Sequence, residues 1–417
     1  MQRASRMPKV LVYTDNDSFS GCENMIAVLM NDAHFRDKCN TVLYYRKSAL
    51  YEEGLADRLD SLISCKGLPL IAMRRSKLPL AIRNKFFARV TLRLMSIFLM
   101  PVTFIFNALM LAAHFLSSGK DTIIINNGGY PGAQGCLQAA LVARLLGFRK
   151  IIMVVNNTAQ PPKGFFKILG KLYDTVVFWS VDKIITGSEI TGLALRRTRG
   201  LESSKSLVIP NGINAGRFEA VHVAGRRTKV FKSGNSINYS IIGLHESRKG
   251  HLVLLKALKD IVSRRPDLYD RIKVSIEGQG DLSKVLEKFV DENNLSASVV
   301  FHKHVENISR FYMNTDVLIH PSLFSEDLPN VISEAMLFGI PTIGSNIAGI
   351  PSQISDGING FLLKPGDHIA LSERMEMFLD NSEILSAMSK ECVAKFNMKF
   401  SSDVAVDRYI DLIEENK

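Results

Sequence analysis

Glu326 and Glu334 stand with seven residues between them in Ser325-Glu-Asp-Leu-Pro-Asn-Val-Ile-Ser-Glu-Ala-Met336. A strand-like run, Asp316–Ser322, precedes them, and a helix-like run follows that ends at Gly339-Ile-Pro-Thr342. A strand, a loop and a helix start carrying two acids can grip a polar, phosphate-bearing ligand. Pro329 suits the first helical position, where its missing N–H is one the helix leaves unpaired anyway. The amides of Asn330 and Val331 are then free to face an anion. Glu334 falls about one turn inside the helix and Glu326 out on the loop. A carboxylate so placed chelates a sugar-ring or ribose diol while the amides hold phosphates.

A second anion-binding candidate lies upstream. Asn238–Leu244 reads as a strand, 245–250 as a loop, and Leu252, Leu255, Leu258 and Ile261 follow helical spacing. Lys249 therefore stands where the positive end of a helix dipole and unpaired amides coincide. A charge-assisted bond from such a lysine to a diphosphate is worth roughly 1.5–3 kcal/mol. Two further loops follow strands in the first half: Ser20-Gly-Cys-Glu23 and Asn127-Gly-Gly-Tyr-Pro-Gly132. Gly21, Gly128 and Gly129 let backbone approach a ligand there, and Ser20 equally suits a plain helix cap. No cluster of metal-ligating residues is apparent, so neither metal nor cofactor is expected.

These motifs need elements to hold them. A chain of 417 residues favours two domains. In residues 1–217, strand runs (Lys9–Tyr13, Thr41–Tyr45, Thr122–Asn126, Lys150–Val155, Lys183–Thr186) alternate with helical ones (Glu23–Asp32, Gln134–Leu146, Glu189–Arg199). The rhythm restarts at Asn238 after a charged, Gly- and Ser-rich stretch, 218–237, read as a linker, and continues to about 399. Residues 400–417 carry apolar positions at helical spacing. The alternation predicts an α/β chain with two Rossmann-like, doubly wound parallel sheets. Such sheets bind ligands outside the carboxyl ends of their strands.

The net charge of +11 is unevenly placed: residues 1–217 hold 29 Lys and Arg against 14 Asp and Glu, whereas 218–417 hold 23 against 27. No recognition-helix, zinc-finger or ribonucleoprotein motif accompanies the basic half, so no nucleic-acid partner is expected. Within it, Arg74, Arg75, Lys77, Arg83, Lys85, Arg89 and Arg93 form a cationic stretch without an acid, and Leu94–Leu116 then runs 23 residues without a charged side chain. Pro101 and Asn107 interrupt that run, and a span here would split one sheet across a bilayer. Segment 74–116 is therefore read as helices lying on an anionic membrane surface, the alternative being a buried helix pair with a solvated basic face. The five cysteines are scattered without a C-x-x-C, which points to reduced thiols. With no secretory signal apparent, the expected location is cytoplasmic, peripheral on the inner face of the membrane.

The Glu326–Glu334 segment, with its Pro-Asn-Val, Glu-Ala-Met and Gly-Ile-Pro-Thr steps, resembles the E-x7-E signature of retaining GT-B glycosyltransferases, especially glycosyltransferase family 4. The resemblance extends to Val208-Ile-Pro-Asn-Gly-Ile213 with Phe218, to the spacing from Gly243 to Lys249-Gly250, and to 349–367. It implies two domains facing a cleft, with the last helix, 400–417, crossing back to the first. It implies a nucleotide-sugar donor held by Gly243, Arg248, Lys249, Asn330, Val331, Asn211 and Gly21. Glu326 would contact the donor sugar and act with Lys249 in catalysis, and Glu334 would bind the ribose. Gly128, Gly129 and Asn156 would lie on the acceptor side. Ser20-Gly-Cys-Glu23 resembles the family's Gly-Gly-x-Glu turn, with Ser20 in place of the first glycine, and two further positions depart from the pattern. Leu244 stands where the family places a diphosphate-binding arginine, and Asn156 where many relatives have histidine. With a membrane-associating segment, the implied reaction is transfer of a hexose or N-acetylhexosamine to a lipid-linked glycan in surface polysaccharide or lipopolysaccharide assembly. A non-catalytic relative that binds a nucleotide sugar or a partner enzyme, and a soluble GT-B synthase or epimerase, are the other readings.

Overall fold

The computed structural model describes residues 7–415 except 20, 72–85, 160, 162–166, 228, 232, 233, 235, 304, 306 and 325; at 86–100 and 167–169 it describes backbone alone. Ser20 and the cations of 74–93 thus fall outside the described residues or side chains. The chain divides into two compact units, one of Met1–Thr186, Ala194–Leu207 and Tyr409–Lys417, the other of Gly187–Leu193 and Val208–Arg408.

The first unit is built on β1 (Lys9–Thr14), β2 (Asn40–Arg46), β3 (Cys65–Leu68), β4 (Thr122–Asn127), β5 (Lys150–Val155), β6 (Lys183–Thr186) and β7 (Ser206–Val208), in sheet order β3-β2-β1-β4-β5-β6-β7. Its central strands are near-continuous β-branched runs buried on both faces, the composition a parallel sheet needs when helices cover both sides. β1 pairs in parallel with β2 and with β4, Val10 opposite Thr122, and strand order reverses between β1 and β4. The helix Gln134–Leu146 buries Cys136, Ala139, Ala140 and Ala143, small residues that let it sit close on the sheet.

The second unit repeats the plan with β8 (Ile237–Ile242), β9 (Ile272–Glu277), β10 (Val299–His302), β11 (Val317–His320), β12 (Thr342–Ser345) and β13 (Gly360–Leu363), ordered β10-β9-β8-β11-β12-β13. Here the order reverses between β8 and β11, which pair in parallel. Tyr239, Ile241, Val274, Ile276, Val317 and Ile319 form the sheet's share of the core, with Leu254, Leu255, Leu258 and Ile261 from the helix His251–Arg264 in the same cluster. Each such aliphatic side chain contributes about 1.5–3 kcal/mol by leaving water.

The structure differs from the sequence reading in three respects. Residues 218–237 are part of the second unit rather than a linker. They include a helix, Ala220–Arg227, whose Arg226 is buried and donates to the Thr315 and Asp316 carbonyls, while Phe218 packs edge-on against Tyr312 and Phe338. A buried guanidinium looks like surface charge in a composition count. The edge strands β3, β7 and β13 are not among the strands read from the sequence: each has only three or four residues, and β3 buries only Leu68.

The third difference is a single helix, Phe86–Ser117, running through Pro101. Asn107 is buried within it and bonds both the N–H and the carbonyl of Ile71, at 3.0 and 2.9 Å, so a residue that reads as an interruption ties the helix to the chain beyond β3. Leu111 and Phe115 enter the core, while Val102, Ile105, Leu109 and Leu116 lie more than half exposed. Among the described residues, no helix is long and apolar enough to cross a membrane. The final helix, Ser402–Glu414, begins in the second unit and ends in the first, where the Lys150 ammonium donates to the Leu412 and Glu415 carbonyls.

Candidate functional site

In the second unit the loops leaving β8 and β11 meet at the reversal of strand order. The β8 loop passes from Gly243 through a 3-10 turn, Ser247–Lys249, to Gly250. Gly250 has φ +73°, and a Cβ there would stand 2.1 Å from the Pro321 carbonyl oxygen. Only glycine satisfies both demands, and the close approach sets the lysine turn against the chain leaving β11, where the Leu323 N–H donates to the Arg248 carbonyl at 2.7 Å. Gly250→Ala is expected to cost about 1–3 kcal/mol of stability. A urea denaturation curve checks it.

The two loops place four groups around one carboxylate oxygen. Lys249 Nζ lies 2.5 Å from Glu326 Oε1, Arg248 Nη1 3.1 Å, the Ser322 hydroxyl donates at 2.9 Å, and His320 Nε2 stands at 3.7 Å. Glu326 is 6% exposed. Burial alone would raise its carboxyl, but His320 and Lys249 hold it down to about 2. Burial also pushes the His320 imidazole down, toward its neutral form, which leaves Lys249 and Arg248 as the cations beside Glu326 at neutral pH. Arg248 turns to Glu326 and to Glu246, 2.9 Å away, while Leu244 is 54% exposed and takes no part.

Pro329 is the residue before the helix Asn330–Leu337, one place earlier than its ring chemistry suggests. Asn330 and Val331 are therefore the first two helical residues, whose N–H groups have no carbonyl within the helix to bond. Glu334 is buried one turn further in; its Oε2 accepts from the Tyr312 hydroxyl at 2.7 Å, and Arg217 Nη1 lies 3.5 Å from Oε1. Asp327, beside Glu326, is likewise buried and accepts from the Ser188 hydroxyl at 3.0 Å and from Thr191; burial raises its carboxyl. These bonds fasten the glutamate loop to segment 187–191. Asn211 stands half-buried before Gly212 and Ile213, whose N–H donates to the Phe400 carbonyl at 2.8 Å. His320, Ser322, Tyr312, Arg217 and Asp327 escaped the sequence reading, because nothing in their spacing announces that they converge on Glu326 or Glu334.

His251, the first residue of its helix, packs edge-on against His245 with ring centres 4.8 Å apart. Burial, helped by His245, His320 and Lys249, pushes His251 down from 6.5 to about 3. The folded protein therefore refuses a proton that the unfolded chain takes up below about 6.5. This residue's contribution to stability is lost as pH falls from there toward 3, by about 1.4 kcal/mol per pH unit. His251→Leu should flatten that slope in urea titrations run at about pH 7.5 and 5.5.

In the first unit, Gly21 lies in the turn between β1 and the helix Asn24–Asn31, and a Cβ there would meet nothing within 4 Å. This unit's packing therefore does not require glycine at that point. Gly128 and Gly129 follow β4; Cβ atoms there would lie 3.5 Å from Asn16 Oδ1 and 3.3 Å from the Asn157 Cβ. Asn156 donates to Asn126 Oδ1 at 2.7 Å and to the Asn127 carbonyl at 3.2 Å. Asp15 and Asp17, an acid pair at metal-binding spacing that the sequence reading passed over, both hold Arg46.

The chain is similar to known glycosyltransferases. Residues 227–392 match the family model described as glycosyl transferases group 1. The chain is 24% identical over 293 residues to the capsular polysaccharide biosynthesis glycosyltransferase CapM of Staphylococcus aureus, covering 68% of this chain and 75% of that one. It is 28% identical over 220 residues to the UDP-Gal:alpha-D-GlcNAc-diphosphoundecaprenol alpha-1,3-galactosyltransferase of Escherichia coli, covering 51% and 56%. Its fold is shared by Anabaena HepE, solved in complex with UDP: TM-score 0.73, 16% identity, 97% of this chain and 99% of that one.

Proposed function

We propose, from the premise that this chain is a glycosyltransferase of GT-B fold and group 1 type, that it moves a hexose or N-acetylhexosamine from a nucleotide sugar to a lipid-linked glycan. The observation that carries this reading is the convergence of Lys249, Arg248 and Glu326 at the strand-order reversal of the second unit, with Glu334 on the helix that follows, Asn330–Leu337. Two cations and the amides of Asn330 and Val331, which have no carbonyl within the helix to bond, suit a diphosphate, and Glu334 suits a ribose diol. Relatives named for capsular polysaccharide biosynthesis and for transfer onto a diphosphoundecaprenol-linked sugar support an acceptor of that class.

In the reaction, the bond from the sugar's C1 to the β-phosphate oxygen breaks and its electron pair leaves with the nucleoside diphosphate. C1 bonds the acceptor hydroxyl oxygen, and the hydroxyl proton passes to an oxygen of the departing diphosphate. Lys249 and Arg248 stabilise the charge that develops there, which is the largest protein contribution in such a step. Glu326 faces the donor sugar, and configuration at C1 is retained. The reading needs no metal, because the cations and helix-end amides supply the counter-charge.

The exposed apolar face of the helix Phe86–Ser117 (Val102, Ile105, Leu109, Leu116) is proposed to rest on an anionic membrane at its cytoplasmic side. A cationic sequence, 74–93, precedes it and complements the headgroups. Thermal stabilisation by a panel of UDP-, GDP- and ADP-sugars tests the donor reading. One donor should stabilise the protein, and Glu334→Ala should abolish the shift; a folded protein that responds to none of the panel would refute it.

A further inference from the structure

We propose that Tyr312 is a positioning residue for nucleotide selection: its hydroxyl holds the Glu334 carboxylate in the setting that reads a ribose 2′-hydroxyl, so the site prefers ribonucleotides to 2′-deoxyribonucleotides. This rests on the donor reading above and names how that site chooses its nucleotide. Every group concerned lies in the second unit.

Tyr312 stands on the helix Ile308–Met313 and is fully buried. Its ring stacks on Phe338 with centres 5.1 Å apart, and Phe218 packs edge-on against both rings. Packing on two sides leaves the ring one setting. Its hydroxyl is thereby delivered to one point, 2.7 Å from Glu334 Oε2. Burial, and after it the Glu334 carboxylate, push the phenol well above its usual range, so it stays protonated and donates.

Arg217 stands on the other oxygen of the same carboxylate. It ends a 3-10 turn, Ala215–Arg217, in which the Asn214 side chain accepts from the Gly216 N–H at 2.8 Å, and the buried Phe218 follows it. Its side chain is 48% exposed, and its Nη1 lies 3.5 Å from Glu334 Oε1. An unrestrained guanidinium and carboxylate close to about 2.7–2.9 Å. The wider gap here marks the Tyr312 bond as the one that sets the carboxylate's orientation. Among the described residues Oε1 accepts no hydrogen bond, so it can accept one from a ligand. A ribose 2′-hydroxyl donates such a bond, whereas a 2′-deoxy carbon leaves the buried oxygen unpaired. Without the Tyr312 hydroxyl, the carboxylate turns to Arg217 and that pair closes.

The test titrates the full-length protein by calorimetry with UDP, GDP and ADP, each beside its 2′-deoxy form. The diphosphate bound best should bind at least about tenfold more tightly than its deoxy form. Tyr312→Phe keeps the ring and its packing, and should cut that preference to about threefold or less by weakening the ribonucleotide alone. Arg217→Gln should keep the preference. Added to Tyr312→Phe, it should restore part of what was lost, since nothing then draws the carboxylate aside. A Tyr312→Phe protein that melts earlier yet keeps the wild-type preference would overturn the inference, leaving the hydroxyl a structural bond and the donor site standing. Loss of the preference in Arg217→Gln would also overturn it, by assigning the choice to Arg217. A wild-type protein that binds a diphosphate without preferring ribose would overturn both the inference and the ribose role of Glu334. Absence of nucleotide binding altogether would overturn the donor reading, and this inference with it.

Discussion

Lys249→Ala is expected to lower turnover about 10²–10³-fold, the usual effect of removing one preorganised group aimed at developing charge. The ammonium is held in place: its loop is fixed by the Gly250 contact with Pro321, and its side chain is only 15% exposed, so little water replaces it. Arg248→Ala should have a smaller effect, because that guanidinium is more exposed and divides itself between Glu246 and Glu326. Steady-state kinetics against the best donor separates the two. Equal losses would mean that the cations are interchangeable and that the loop geometry gives Lys249 no special part.

Glu326→Gln is expected to lower turnover about 10–10²-fold while tightening binding of the donor's nucleoside diphosphate roughly tenfold, equivalent to ~1.4 kcal/mol. In the structure Glu326 occupies the cations proposed for the diphosphate: Lys249 and Arg248 both reach its Oε1. A diphosphate must compete with that carboxylate and then sit near it, so removing its charge favours the nucleotide. The carboxylate is lost at the same time to the donor sugar, where it serves the transition state. Structural damage would weaken both quantities; only a charge that opposes binding and serves chemistry moves them in opposite directions. Calorimetric titration of the donor's nucleoside diphosphate beside initial rates reads both.

The α/β plan was legible because its signals are local. β-branched runs such as Val10–Tyr13 and Ile123–Ile125 declare central parallel strands, and Leu252, Leu255, Leu258 and Ile261 declare one buried helix face. The order of the Lys249 loop and the Glu326–Glu334 segment was legible as well, since each joins a strand to a helix. What stayed hidden depends on contacts between distant residues. Nothing local tells that Arg226 is buried beneath Thr315, that Asn107 anchors Ile71, or that Tyr312 and Arg217 reach Glu334. Leu244 leaves the sequence motif one cation short for a diphosphate, whereas the side-chain direction that turns Arg248 toward Glu326 is set by the fold and not by spacing.

The most direct measurement is mass analysis of lipid-linked glycans after the purified protein is incubated with UDP-, GDP- and ADP-sugars and a membrane extract. The account predicts a glycan lengthened by one sugar, with an equal quantity of nucleoside diphosphate released, and both products formed about 10²–10³-fold more slowly by Lys249→Ala. A nucleotide bound tightly by the wild-type protein, with no product and no nucleoside diphosphate release under any donor, would contradict it and leave a binding protein in place of an enzyme.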